Sequence, residues 1–411
     1  YIDYFVFETY IQNRDWMGID WELNNIKLWR QDTLGATWRY MMYDTDFAFG
    51  LYGGNIYQNY IDKARNPSYP NQHSQIFDHI LDNADFRCRF ANRYDDLINT
   101  TFQVDRFNAV TDELKSELAP AIPDHVANWS SQMGPNSYSY WLNAVNGIKS
   151  YNSARIATAR QHLNQSLSLQ GQRAVDLAAY PLNSGHIQLN SITPELPWDG
   201  IYHGGCPITA QAIPSFGFIF SHWYSNATDY NNALQDSINV VLAANTSLVA
   251  HFDSCKNVVE GTIQQEERIL KAAVSIAVTD PTYEWFYNGI LVSTDSVIYN
   301  PLDGNYQLTV RFDSCEIQSE VASVNNGEYG IHLFPNPAVD ALTVQFLMGQ
   351  PENMTLAIYN TAGQLVWESN YTNFVGQFNT ALDVSTFARD LYFLRITTPT
   401  KTYARKFILI D

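Results

Sequence analysis

Between Gln75 and Thr101, Ile76, Ile80, Leu81, Phe86, Phe90, Tyr94, Leu97 and Ile98 recur at helical spacing, with Asn and Asp at the breaks. The spacing predicts a helical layer there. Further helices are expected over 105–118, 138–151 and 153–168, with the breaker-rich stretch from Pro120 to Pro135 between the first two. Beyond about residue 170 the period changes. From Ser184 to Cys255 the runs HIQLNSI, ITAQAI, FGFIFSHW, SINVVL and SLVAHF alternate apolar with polar and are split by Gly, Pro and Asn, as in a small β module. The charged EGTIQQEER reads as a helical or extended connector. A second β module follows in AVSIAVT, YEWFYNGILV, SVIYN and YQLTVRF, with Trp285 and an Asn288-Gly289 hairpin turn. SVNNGEYG has the composition of a linker, and the last 80 or so residues form a third β module.

The fold class expected is multidomain α+β: a mainly helical region over 1–170, small all-β modules over 171–256 and 257–325, the second immunoglobulin-like, and a C-terminal β-sandwich over 326–411. In the last of these Leu333, Leu342, Val344, Ile358, Leu391, Phe393 and Ile396 occupy apolar strand positions and are expected to share one core.

Composition narrows the classes of function. The 411 residues are 45% hydrophobic and 16% charged, which excludes a disordered chain or a coiled coil. No apolar run approaches the roughly 18 residues of a membrane-spanning helix. Lys plus Arg number 24 against 42 acids, a net charge of −18, the wrong sign for neutralising nucleic acid. Cys88, Cys206, Cys255 and Cys315 show no metal-ligand spacing, so zinc is not expected. Cys255 and Cys315 close the similar strings HFDSC and RFDSC, which marks two equivalent strand ends. A disulfide formed in an oxidising compartment would join two of the last three, with Cys206 to Cys255 preferred because both lie in one module; free buried thiols are the alternative. Neither an HExxH pair, a GxSxG elbow nor a GxxxxGK[ST] loop occurs.

Near the start, polar residues interrupt apolar flanks. Asn13, Asp15, Asn24 and Asn25 lie between FVFETYI and IKLW, and Asp44 and Asp46 follow the strand-like WRYMMY. Two apart on an extended segment, Asp44 and Asp46 would project to one face. Hard divalent cations take clustered carboxylate and amide oxygens, and phosphoryl transfer needs such a cation to offset phosphate charge. The order Asp, Asn, strand hairpin, Asp is that of a kinase catalytic loop.

The strings YIQNRDWMGIDWELNNIKLWR, WRYMMYDTDFAFG and IFDHILDNADFRCRFANRYDDLINTTF resemble the CotH kinase family, an atypical kinase-like fold, from about 1 to 165. The resemblance implies that 1–170 is the C-terminal portion of a kinase-like domain, its helical lobe. It implies Asp15 as the catalytic acid that positions or accepts the proton of the attacking hydroxyl. Asn25 would be a metal ligand, with Asn24 as rival, and Asp44 the main metal-binding acid. Asp46 would be a second ligand or a support to it; Asp46-Phe47 mimics the kinase DF pair, which leaves the order of the two acids open. Trp38, six before Asp44 and an even offset along one strand, corresponds to the aromatic that stacks on adenine; a plain core tryptophan is the alternative. The implied cofactors are ATP and Mg²⁺ or Mn²⁺, and the implied substrate is Ser or Thr of a protein. The segment MGIDWE is extra relative to shorter family members. The phosphate-binding lysine of such an enzyme belongs to an N-terminal lobe, and Lys27, which follows the catalytic string, does not replace it. The chain therefore reads as a fragment without its N-lobe, inactive alone.

The last module carries IHLFPNPAVDALTVQF, LAIYNTAGQLVW, LDVSTFARDLYFLRI and TYARKFILI, which closely resemble the C-terminal sorting domain of the type IX secretion system of Bacteroidetes. That resemblance implies export through the outer membrane to the cell surface or medium, with the secretion machinery as partner. WDGIYHGGCPITAQAIPSFGFIFSHW is similar to divergent internalin-type B repeats. A non-catalytic surface adhesin or structural protein, keeping the kinase-like fold as scaffold, is the competing expectation.

Overall fold

Helix α1 (Ile2–Ile11) is buried on most of its faces, which its run of Tyr, Phe, Val and Ile requires. A two-strand hairpin, β1 (Lys27–Trp29) and β2 (Arg39–Met41), follows it. Then come α2 (Tyr60–Arg65), α3 (Gln72–Leu81), α4 (Ala84–Asn99), α5 (Val104–Leu118), α6 (Ile122–Trp129) and α7 (Tyr138–Leu167). Asn59, Asn71, Asn83 and Ser137 cap their helices through side-chain oxygens, so the polar breaks in the apolar pattern are starts. This computed structural model describes all residues except 133, 267–268, 300 and 325–329, and all side chains of those except that of Tyr52. Most of the expected linker thus lies outside the described residues.

Two differences from the sequence pattern appear among the helices. Residues 138–167 form one continuous helix instead of two, because Asn152 is drawn inward: it accepts from the Tyr10 hydroxyl at 2.8 Å and donates to the Phe102 carbonyl at 2.9 Å. The stretch from Pro120 also holds α6, since Pro123 sits in its first turn, where a missing N–H costs nothing.

The β-rich remainder begins with β3 (Gln172–Tyr180), β4 (Gly185–Leu189), β5 (Trp198–His203), β6 (Ile208–Pro214), β7 (Phe218–Ser225), β8 (Ser237–Val240) and β9 (Thr246–Ser254). They form a four-stranded sheet, β5-β3-β9-β7, and a three-stranded sheet, β4-β6-β8. After the short α8 (Cys255–Val258) come β10 (Gly261–Glu266), β11 (Ile269–Val274), β12 (Thr282–Tyr287), β13 (Ile290–Ser293), β14 (Val297–Tyr299), β15 (Gly304–Phe312), β16 (Cys315–Gln318) and β17 (Ala322–Val324). The charged connector is thereby largely strand β10, an edge strand whose polar side chains stay in solvent while its backbone pairs with β11. The chain clusters into two compact units: 1–213 with 220–252, and 214–219 with 253–411.

The last segment holds β18 (His332–Phe334), β19 (Ala341–Asn360), β20 (Leu365–Asp383), β21 (Leu391–Thr397) and β22 (Thr402–Ile408). Where a β-sandwich was expected, the structure has one curled sheet, β18-β19-β21-β22, with the long β20 alongside β19. Register shifts between Met348 and Met354 let these long strands bend, so that both halves of β19 enclose one core. Leu342, Val344, Ile358 and Ile396 lie in it and Leu333 packs against it. Leu391 and Phe393 do not belong to that core. A period of two cannot place 391, 393 and 396 on one face, and Tyr392, Leu394 and Ile396 are the buried set. Among the described residues helix accounts for 26%, so the class is mixed α and β.

The disulfides are Cys88–Cys206 and Cys255–Cys315, with Cα separations of 5.0 and 5.9 Å. The preferred Cys206–Cys255 pairing is overturned: sharing a module does not bring two Cα atoms to bonding distance. Cys206 instead joins the helical core against Cys88 of α4.

Candidate active site

The loop after α1 is presented from a clamped helix end. Gln12 takes a left-handed conformation (φ 58°) that ends α1. Arg155 of α7, 1% exposed, donates to the carbonyls of Tyr10 (3.0 Å) and Thr9 (3.2 Å), satisfying terminal acceptors with a positive charge at the negative end of the helix. The loop then ties itself to the segment beyond the hairpin. Asn13, fully buried, donates to Glu8 Oε2 at 3.0 Å and to the Asp44 carbonyl at 3.4 Å. The Arg14 amide donates to Phe47 O at 3.1 Å, and the Phe49 amide to Ile11 O at 3.0 Å.

Asp15 is gripped by the amides expected beside it. Asn25 donates from Nδ2 to the Asp15 carbonyl at 2.9 Å and to its Oδ2 at 3.1 Å, and Asn24 reaches the same Oδ2 at 3.1 Å. Asn25 is buried with φ 53°, whereas Asn24 is exposed. The extra residues between them are anchored. Met17 and Ile19 are buried, and Asn71 donates to the Met17 carbonyl at 3.0 Å. At Gly18, with φ +77°, a Cβ would stand 2.4 Å from the Tyr69 carbonyl, so only glycine fits the turn. Asp20 binds Arg14 at 2.8 Å and Lys63 at 3.1 Å. Burial pushes its carboxyl up, but the bonds to Arg14 and Lys63 and their charges hold it below the usual range.

The hairpin between these segments turns one face inward. Tyr40 packs against the core, and its hydroxyl meets His73 Nδ1 at 2.8 Å. Trp29, Trp38, Met41, Met42 and Tyr43 are exposed. Trp38, 61% exposed, is therefore not a core tryptophan; the Arg30 guanidinium lies 5.0 Å from its ring centre. The strand ends at Met41 and Asp44 is left-handed at φ 51°, so neither Trp38 with Asp44 nor Asp44 with Asp46 shares a face by strand alternation. Asp44 and Asp46 nonetheless meet through their side chains. The Asp46 carboxyl is pushed up by loss of solvent, then by the hydrogen bond and negative charge of Asp44.

Neighbouring carboxyls such as Asp44 and Asp46 are the oxygen donors that a hard divalent cation takes, and the Asn25 amide lies on the adjoining loop. Among the described residues no three His, Cys, Asp or Glu side chains gather as a ready cage, so a cation here would have at most two acids and an amide to hold it. Glu8 extends the site inward. It is fully buried, one of its oxygens has no partner among the described residues, and burial pushes its carboxyl up to about 7 against the opposing pull of the Asn13 bond. A lone acid inside the apolar run FVFETYI was the signal for it; Arg155, about 145 residues from its partners, left none. A separate cleft of about 940 Å³, lined by residues including Ile2, Asp3, Phe86, Arg93, Asp96 and Pro207, does not include Asp15, Asn25, Trp38, Asp44 or Asp46.

Comparisons with known proteins divide along the chain. Residues 1–158 match the family model described as CotH kinase protein, and residues 332–410 match the secretion system C-terminal sorting domain. No curated protein matches the chain. Solved structures similar to it include dimeric latent PorU from Porphyromonas gingivalis (12% identity, 59% of this chain and 30% of that one, TM-score 0.18). A biofilm associated protein BSP domain gives 11%, 59% and 57% with TM-score 0.18. The Group B Streptococcus pullulanase SAP gives 13%, 36% and 23% with TM-score 0.15. The chain thus spans less than two thirds of these structures, and at such scores they carry no argument. The C-terminal domain directs export to the cell surface or medium, and no helix among the described residues is long and apolar enough to cross a membrane. With a CotH kinase match confined to 1–158 and a type IX sorting domain at 332–410, the chain is an exported protein of the cell surface or medium whose N-terminal segment is similar to CotH proteins.

Proposed function

We propose that the chain is the catalytic-loop portion of an exported CotH-type protein kinase that transfers the γ-phosphoryl of ATP to Ser or Thr of a protein. The observation that carries this is the pairing of Asp15 with Asn24 and Asn25 on one loop, bound through Asn13 to the backbone of Asp44 on the next. Asp15 would accept the hydroxyl proton, while its two amide bonds fix the carboxylate's orientation. Asn25, Asp44 and Asp46 would hold Mg²⁺ or Mn²⁺, which when bound offsets the charge of the nucleotide phosphates. Trp38, exposed at the hairpin, is the surface offered to the adenine. The test is calorimetric titration of ATP and Mg²⁺ into the protein, followed by a transfer assay. Binding that disappears in Asp44→Ala supports the assignment; no binding at millimolar ATP sinks it.

A second reading, a surface adhesin or structural protein that keeps the fold as scaffold, is favoured by the absence, among the described residues, of three clustered acids or histidines. It predicts that Asp15→Ala and Asp44→Ala leave every measurable property but local stability unchanged.

A further inference from the structure

The middle of the sorting domain's two long strands meets the module of residues 257–324 inside one compact unit. Leu347 of β19, 6% exposed, belongs to the core of that module with Trp285, Val292 and Leu308, and Val375 of β20 packs against the same core. Two glycines make the approach possible. A Cβ at Gly349 would lie 2.5 Å from the Tyr287 ring and 3.2 Å from Leu302, and one at Gly376 would lie 2.4 Å from the Val292 carbonyl. Gly376 also has φ +103°, so no side chain fits it by conformation or by space. The Tyr299 amide donates to Gln377 Oε1 at 3.2 Å beside this contact. Both glycines fall where the pairing of β19 with β20 loses register: Met348 pairs with Gly376 and the next partners are Glu352 and Phe374. The irregular waist that curls the sheet is therefore the surface against which the module is seated.

From this geometry we infer that the Gly349–Gly376 waist is a docking surface whose partner is the 257–324 module. The sorting domain and that module behave as one rigid body, held by the waist independently of the chain that joins them. Charge plays little part, since the contact is made of apolar side chains and backbone: Leu347, Val375 and the two glycines on one side, Tyr287, Val292 and Leu302 on the other. The secretion machinery consequently meets a tail whose waist is already covered, and reads its other faces.

The experiment places a flexible glycine-serine insert with a protease site between Val324 and Gly330 of the whole chain, cuts it, and passes the product through size exclusion at about 10 μM. The two pieces are expected to co-elute. In the cut Gly376→Val chain they are expected to separate, with affinity at least roughly tenfold weaker. Separation of the pieces from the otherwise native cut chain overturns the proposal. Should Gly376→Val leave the tail unfolded by circular dichroism, Val375→Asp replaces it, placing a charge on the partly buried waist. Undiminished co-elution with a folded Val375→Asp tail also overturns the proposal. Hydrogen exchange supplies an independent reading in the uncut chain: the Tyr299 amide is protected while docked and loses protection in the variant that separates.

Discussion

Glu8 lies wholly inside the helical core, bonded through one oxygen to Asn13 and through the other to none of the described residues, and Asn13 in turn reaches the Asp44 carbonyl. A carboxyl raised to about 7 is held protonated by the native state at pH values where the unfolded chain has already released the proton. The native state therefore binds more protons between about 4.5 and 7, and stability falls as pH rises through that window. The loss is on the order of 3 kcal/mol when complete. In Glu8→Gln, which cannot titrate, urea unfolding across the window should lack this drop; an identical pH dependence in both proteins would show that Glu8 does not carry it. Glu8→Leu should cost about 1–3 kcal/mol at low pH, because the buried Asn13 amide loses its acceptor. The two acids beyond the hairpin make a different prediction. On the proposed function, Asp44→Ala should remove Mg²⁺ or Mn²⁺ binding and Asp46→Ala should weaken it less, since Asn13 fixes the backbone of Asp44 while the Asp46 carboxyl is already engaged by its own loop's backbone and by Asp44. Titration calorimetry separates the cases, and the reverse ranking would exchange the roles.

At the scale of elements, much of the stability is carried by contacts between pieces far apart in sequence. Arg155 of α7 holds the end of α1, and the Cys88–Cys206 bond ties α4 to the turn after β5. Asp95 of α4 adds a buried ion pair with Arg160 at 3.0 Å and a bond from the ring of His203 at 2.9 Å. A disulfide closing a loop this long is worth about 2–4 kcal/mol. Cys206→Ser should therefore lower unfolding stability by about that amount and leave the Cys255–Cys315 bond intact, because the latter closes a separate core. Non-reduced peptide mapping should yield Cys88 linked to Cys206 and Cys255 linked to Cys315. A Cys206–Cys255 peptide would contradict the structure.

For the whole molecule, the sorting domain makes location a property of the chain's last residues, and both disulfides accord with residence outside the cytoplasm. Neither bond uses a residue beyond 324. Deleting 330–411 should leave both formed while the protein remains inside the outer membrane of a type IX-competent host. Protease accessibility on intact cells checks this, and surface exposure of the truncated chain would refute the address. The waist contact adds a cost to the same deletion: Val292, Tyr287 and Leu302 lose their cover, so the truncated protein should bind more of a hydrophobic dye than the full chain does.

Periodicity and turn chemistry are local, and what they govern could be read directly from the residues. The helices of 72–99, the hairpin before Asp44 and the strands of the sorting tail follow from nearest neighbours along the chain, whereas the Asp15–Asn25 loop is also held by Lys63 and Asn71. Long-range neighbours decided the remainder. Asn152 looked like a helix break until its partners Tyr10 and Phe102 placed it inside α7, and Leu391 and Phe393 looked like core until the pairing of β21 turned Tyr392 and Leu394 inward. The cysteine pairing, the protonation of Glu8 and the glycine waist depend on groups brought close only by the folded backbone. Spacing along the chain specifies which face of an element is apolar; the distances between elements, and so the fields, bonds and close approaches that a site requires, exist only once those faces have packed.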